Sequence, residues 1–402
     1  MTDASPAGPR ASVWHLPGMT SLVVFSVTGF AGYAALLPVA PLWAVHGGAD
    51  EAGAGLVNGI LLLATIATQL LVPGALRRFG WRPVLVVGMV LLGLPALLYT
   101  TSDALGPVLA LSAIRGMGFG VLTVTGSSAA GLIAPPGRRG EAIGVYGLAV
   151  AVPNLLLLPA GPWVAENLGY AVIFAISATP LLGIPGAVGL ARAVQGHLAR
   201  LDADPTTPPG ASGDGRDWAA YRSLLRPTVI LLGMTLAGGA VLTFAPQLVD
   251  SPLVATAGLF VMGLVAAIAR WRAGLLADRH GAERFAWPLV LVGAAGMVLI
   301  AWTLREPASM PVATFLGGMA LVGLGYGALQ NLTLVMAFES VSRARHDLAS
   351  AVWNVGFDAG TAIGSVLVGA IAVRASFSVG ILVAGVLTLA TVPLAVARVR
   401  RP

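Results

Sequence analysis

Apolar runs of about 20 residues, each long enough to cross a bilayer as a helix, recur twelve times along this 402-residue chain. They lie at about 20 to 45, 53 to 75, 83 to 101, 106 to 133, 141 to 166, 170 to 191, 227 to 249, 252 to 271, 285 to 303, 311 to 338, 348 to 373 and 376 to 397. No ten-residue alternation of apolar and polar positions recurs, which excludes a spanning β-barrel. The pattern predicts an all-α integral membrane protein with twelve transmembrane helices. The longest polar stretch, about Ala193 to Pro227, is centred on DADPTTPPGASGDGRD, too rich in proline, glycine and acid to bury a core. It predicts a flexible linker over 193–226, between six-helix bundles at 20–192 and 227–402, with 1–19 as a polar tail. The segment WAAYRSLLRP at the end of that linker reads equally as an interfacial stretch and as the lead-in to the seventh helix.

Composition agrees: 57% of residues are apolar and 10% charged, more apolar surface than one water-soluble core can hide. All 23 basic residues are arginine. With both termini cytoplasmic, Arg305 and Arg374 fall outside and Arg115 within a helix. The rest, Arg270 and Arg272 among them, fall inside, as the positive-inside rule requires. The expected location is therefore the cell's inner (plasma) membrane, multi-pass, with the bilayer as partner. The basic charge is spread over many turns rather than gathered in a patch, so topology accounts for it and no nucleic-acid partner is expected. With no cysteine, disulfides and thiolate chemistry are excluded. The N-terminal tail has no small-residue cleavage pattern and reads as uncleaved.

Residues Gly274 to Arg284 read GLLADRHGAER, and PGALRRFGWRP at Pro73 to Pro83 is a weaker copy, with Gly281 and Gly80 offset by 281 − 80 = 201. A second repeat, GMGFG at Gly116 to Gly120 and GLGYG at Gly323 to Gly327, is offset by 323 − 116 = 207. The chain reads as a duplicated six-helix unit, and glycines at this spacing let neighbouring helices approach closely. The turn motif resembles the signature loop G-x-L-x-D-R-x-G-x-x-R of the major facilitator superfamily, found after its second and eighth helices. In the N-terminal copy Pro73 replaces the first glycine and Arg77 the aspartate, so that half must close differently. The resemblance implies two pseudo-symmetric six-helix bundles that rock about a midplane site. It also implies gating roles for Asp278, Arg279, Gly281 and Arg77. Asp278 is expected at the start of the fifth helix, close to Arg138, Arg139 and Glu141, where the helix dipole favours an anion. Arg77 is expected to pair with Asp347 at the start of the eleventh helix, with the charges exchanged; the alternative is that Asp347 caps its own helix and Arg77 marks the inner membrane face.

Charged side chains within spans cost a few kcal/mol each. Asp358, about ten residues into the eleventh helix, lies near the midplane at 1.5 Å per residue and is expected to be buried between the halves as a proton-coupling site. A carboxyl out of water favours its neutral form, and a nearby cation or substrate favours the anion. The alternative is a structural aspartate. Arg115 sits about 10 Å away in height, so no permanent direct pair is expected. It reads as a coupling partner or an anion contact, or else as a structural arginine on backbone carbonyls. Uncharged candidates for substrate binding are Tyr33, Asn58, Gln69, Asn154, Gln247, Gln330, Asn331, Trp353 and Asn354, with Gln330, Asn331 and Tyr33 favoured among them. Aromatics and amides in an apolar cavity suit an amphipathic organic molecule. Pro153, Pro159 and Pro162 with Gly161 predict a kinked fifth helix, loosely similar to the glycine-proline motif of drug-proton antiporters in this superfamily.

No zincin, P-loop, serine-elbow or paired-aspartate constellation occurs in the spans, so no enzyme activity, cofactor or metal is expected. The expected function is proton-coupled export of a small organic molecule, a drug or secondary metabolite, by a monomer. Proton-coupled uptake of an organic anion, and a non-transporting receptor or scaffold, are the alternatives.

Overall fold

A computed structural model describes residues 13–135, 137–202, 218–249, 251–305 and 311–397. The described residues form twelve helical spans and no strand: α1 Met19–His46, α2 Gly53–Phe79, α3 Trp81–Thr101, α4 Leu105–Ile133, α5 Arg139–Leu168, α6 Tyr170–Arg200, α7 Trp218–Ala245, α8 Leu253–His280, α9 Glu283–Thr303, α10 Val312–Glu339, α11 Arg343–Arg374 and α12 Phe377–Val396. All twelve are long and apolar enough to cross a membrane. They make two pseudo-symmetric six-helix bundles, the architecture of a multi-pass membrane protein.

Three stretches extend beyond the apolar runs. The eighth run ends near residue 271, whereas α8 continues through the turn motif to His280. The sixth helix runs to Asp202 and the seventh begins at Trp218 as one continuous helix, so WAAYRSLLRP forms the first turns of α7. Both ends of the expected linker are therefore helical, and its centre, 203–217 with Arg216, lies outside the described residues. So do Arg10 in the N-terminal tail and Arg398, Arg400 and Arg401.

The repeated turns end in equivalent glycines. Gly80 closes α2 at φ 78° and Gly281 closes α8 at φ 82°, a region that favours glycine. Each returns its N–H to a carbonyl four residues back, Leu76 and Ala277. The glycine runs are packing devices: Gly116 and Gly120 seat α4 on the Leu61 and Thr65 carbonyls of α2, and Gly323 and Gly327 seat α10 on Met262 and Ala266 of α8. The two offsets reproduce these pairs, since 61 + 201 = 262 and 65 + 201 = 266 while 116 + 207 = 323 and 120 + 207 = 327. α5 stays helical through Pro153, Pro159 and Pro162.

The bundles meet along α2 with α11 and along α5 with α8. Burial along α4 and α10 is uneven. Every residue of 118–134 and of 327–338 is buried, while the other ends of these helices carry exposed and half-buried positions. The buried ends point toward the face that bears the arginine-rich turns. The halves are therefore closed at that face.

Candidate functional site

The closed face is held differently at its two seams. At α5 and α8, Gly140 and Gly274 lie backbone to backbone, so close that a Cβ on either would overlap the other's carbonyl. Asn331 Nδ2 ties this contact by donating to the Gly140 carbonyl at 3.1 Å and the Arg270 carbonyl at 3.0 Å. Asp278 occupies the start of α5, where its two carboxylate oxygens each accept a backbone N–H at 2.8 Å, from Gly140 and from Glu141. Arg138 pairs with Glu141 alongside, at 2.8 Å. Arg279 is exposed.

At α2 and α11 side chains make the seam, as expected where Pro73 stands for the motif glycine. Arg77 Nη1 reaches Asp347 Oδ2 at 3.8 Å, and Leu348 N–H also donates to Asp347. The Arg77 side chain is 72% exposed, so this ion pair is worth about 1 kcal/mol or less. Deeper in, Ser127 and Ser350 share a short hydrogen bond, and Asn354 Nδ2 donates to Ser127 Oγ at 3.1 Å and the Ser350 carbonyl at 2.8 Å. Trp353 Nε1 donates to Thr333 at 3.0 Å. Asn331 and Asn354 are thus buried at the closed seams, and Trp353 is buried within the second half.

Asp278→Ala removes an anion that satisfies two helix-end donors. We expect a loss of about 1.5–3 kcal/mol for a charge-assisted bond, which shifts the closed-to-open ratio about tenfold or more. The absence of native cysteine makes this measurable. A Ser350→Cys probe at the seam should react with a maleimide faster in Asp278→Ala than in the parent. Equal rates would deny Asp278 its part in closure.

Above the seams lies a set of polar groups at similar depth. Asp358 is 358 − 346 = 12 residues beyond His346, where α11 becomes α-helical after a 3-10 turn, and Arg270 is 280 − 270 = 10 residues from the end of its own helix. At 1.5 Å per residue both lie about 15–18 Å from the closed face. Asp358 is half-buried rather than fully buried, and Gln69 Nε2 donates to it at 2.7 Å across the boundary between the halves. Gln69 also bonds Thr123 Oγ1 at 3.2 Å.

Arg270 corrects the sequence reading, which counted it among the inside arginines at the cytoplasmic end of the eighth run. Because α8 continues past it for nearly three turns, it is only 7% exposed. Its Nη1 donates to Gln330 Oε1 at 2.9 Å, its guanidinium lies 5.7 Å from the ring centroid of Tyr146 in the other half, and Gly147 makes room for its stem. Among the described residues no carboxylate pairs with it. An arginine at mid-span costs about 2.5–3.5 kcal/mol on insertion scales; a cation–π contact returns about 0.5–2 and a charged hydrogen bond about 1.5–3. These contacts offset the cost and leave the buried Nε without a hydrogen-bond partner.

Tyr326, on α10, is within electrostatic reach of both Arg270 and Asp358, and Tyr33, on α1, within reach of Asp358. Tyr33 is half-buried, stacked on Phe119 at 3.7 Å, with Phe30 edge-on to Phe119. Tyr326 packs near Phe357 at 6.0 Å. These rings border the charged groups with the aromatic surface an organic molecule needs. Asn58 and Asn154 are half-buried but spend their amide donors on the Leu37 and Val150 carbonyls. Gln247 is exposed near the other end of α7.

Arg115 is 0% exposed and enclosed within the first half, with Nη2 on the Gly32 carbonyl at 2.8 Å and Nε on the Leu92 carbonyl at 3.3 Å. This is the structural-arginine arrangement, binding α1 and α3 to α4. Arg115→Ala should lower the thermal unfolding midpoint, at a cost of about 2–4 kcal/mol from unpaired buried carbonyls and lost packing. Surviving protein should keep whatever pH profile the parent protein has. An altered pH profile with unchanged stability would contradict this assignment.

The repeats foreshadow the Arg270 site. With 270 − 201 = 69 and 330 − 207 = 123, the pair Arg270 and Gln330 is the counterpart of Gln69 and Thr123. Similarly 353 − 207 = 146 sets Tyr146 opposite Trp353. Each half thus places one polar side chain of α2 or α8 against α4 or α10 and aims it at the other half.

The model of the Major Facilitator Superfamily matches residues 22–305 and 251–402. Over 148 residues the chain is 30% identical to the MFS-type transporter Rv1250 of Mycobacterium tuberculosis, covering 36% of this chain and 25% of that protein. That match spans about a quarter of the relative's length. Among solved structures, the proton:xylose symporter XylE bound to 6-bromo-6-deoxy-D-glucose superposes with TM-score 0.70 at 15% identity, over 93% of this chain and 94% of that one. The human organic anion transporter MFSD10 superposes with TM-score 0.73 at 15% identity, over 94% and 98%.

Proposed function

Because this chain belongs to the major facilitator superfamily of transporters, we propose that it works by alternating access and exports a small organic molecule in exchange for protons. The arginine-rich face is cytoplasmic by the positive-inside rule, with both termini there, in the cell's inner (plasma) membrane. Residues 20–192 and 227–402 are the two rocking units, 193–226 the link between them, and one chain suffices for a transport cycle.

The observation that carries coupling is Asp358, half-buried between the halves and bonded to Gln69 across the seam. As a carboxylate it accepts a charge-assisted bond that fastens α11 to α2 and favours closure at the cytoplasmic face. A proton arriving from the opposite face neutralises the acceptor and weakens that bond, so the seam can part. Once the cytoplasmic face opens, the proton leaves and cargo enters. The prolines of α5 place a deformable helix at the other seam.

Flux in proteoliposomes under an imposed pH gradient tests this reading. Cargo should move against the proton flow, whereas movement with the protons would replace export by uptake symport. Flux indifferent to the gradient would remove coupling altogether.

A further inference from the structure

We infer that Arg270, framed by Tyr146, Gly147 and Gln330, seats an anionic group of the cargo, which makes the transported molecule an organic anion. This rests on the alternating-access reading only in taking the region between the halves as the cargo's place. Four observations converge on it. Arg270 is more than nine-tenths buried, and its Nε has no hydrogen-bond partner. It meets only neutral groups, an amide oxygen and a ring face. Its counterpart in the first half is the neutral Gln69, so the repeat does not require a charge here. It lies at the seam that moves, between α8 and α5, at the depth of Asp358.

The arrangement also says how an anion is discriminated. A guanidinium offers a planar fork that suits a carboxylate, sulfonate or phosphate ester better than an ammonium point charge would. Asp358, which like Arg270 is within electrostatic reach of Tyr326, repels a second negative charge unless it carries a proton. A monoanion whose apolar body lies along Tyr326 therefore fits, and a cation does not. In the exchange cycle, cargo charge and proton then occupy separate residues, Arg270 and Asp358.

The test uses three probes of one size on the purified full chain: 4-phenylbutyrate, 4-phenylbutanol and 4-phenylbutylamine, read as ligand-induced thermal shift and as quenching of tryptophan fluorescence. The wild-type protein should bind the carboxylate about ten- to hundredfold more tightly than the alcohol, the span expected for a charged hydrogen bond, and the amine most weakly. R270Q should erase the preference for the carboxylate, and R270K should keep part of it. Equal binding of carboxylate and alcohol by the wild type, preference for the amine, no response to the carboxylate, or undiminished selectivity in R270Q would each overturn the inference. The wild-type ranking alone decides if R270Q does not fold. Because binding is read without a gradient, its failure leaves the coupling proposal standing, and loss of gradient-driven flux in D358N leaves this one standing.

Discussion

Asp358→Asn should abolish gradient-driven transport while leaving exchange of cargo across the membrane intact. The substitution preserves shape and removes the charge that Gln69 bonds at 2.7 Å. A charge-assisted bond is worth about 1.5–3 kcal/mol, so its loss shifts the balance between closed and open seams by about ten- to hundredfold. Proteoliposomes loaded with cargo should therefore lose accumulation to background under a pH gradient and still equilibrate label by counterflow. Asp358→Glu should retain part of the coupling, because the proton site survives in a displaced position. Full gradient-driven accumulation by Asp358→Asn would remove Asp358 from the mechanism.

Gly274→Leu should hold the arginine-rich face open. Gly140 and Gly274 touch through their backbones, and the space for even one methyl group at Gly274 is taken by the Gly140 carbonyl and by the Asn331 amide. Overpacking at so tight a contact costs about 1–3 kcal/mol, borne only by the closed state, because the separated seam has no such contact. The population should move toward the open seam by about five- to a hundredfold. Transport should fall with it, because the cycle stalls on one side. Distances between spin labels on the α4–α5 and α10–α11 turns, measured in both proteins, should lengthen in Gly274→Leu. Identical distance distributions would show that this glycine pair does not gate. At α2 and α11, where Pro73 occupies the matching position, the same enlargement should matter less, since side chains and not backbone atoms make that seam.

Much of the scaffold is legible in the chain because lipid imposes it. A spanning segment must satisfy its own backbone and be apolar for about 20 residues, so twelve spans and their polar turns stand out. The duplication is equally visible, and the offsets of 201 and 207 identify the helix pairs that the glycine runs bring together. Asp278 at the start of α5 follows from the dipole of a helix end.

What sequence left obscure are matters of depth and direction. Hydropathy ends the eighth run near residue 271 because Arg270 and Arg272 are polar, yet the hydrogen-bonded helix continues to His280, and Arg270 is drawn about 15 Å inside the face. A charge count cannot distinguish an arginine in a turn from one three turns short of it. Arg115 was visible as a charge within a span, but the Gly32 and Leu92 carbonyls that receive it come from two other helices. Gln330 and Asn331 are neighbours in sequence with different tasks, one bonded to the Arg270 guanidinium and the other to backbone at the seam. Asn354 and Asp358, one turn apart, divide in the same way, one bonded into the closed seam and the other half-buried against Gln69.

The measurement that bears most directly on the account is the sidedness of one cysteine beside Asp358. Val355→Cys places it nearly a turn before Asp358 at a half-buried position in an otherwise cysteine-free chain. Oriented proteoliposomes are treated with a membrane-impermeant maleimide from one face or the other. Alternating access predicts reaction from either face in the parent protein, with Gly274→Leu reacting from the arginine-rich face and protected from the opposite one. Reaction from a single face in both proteins, or equal reaction from both faces in the wedged variant, would contradict a central site exposed to the two sides in turn.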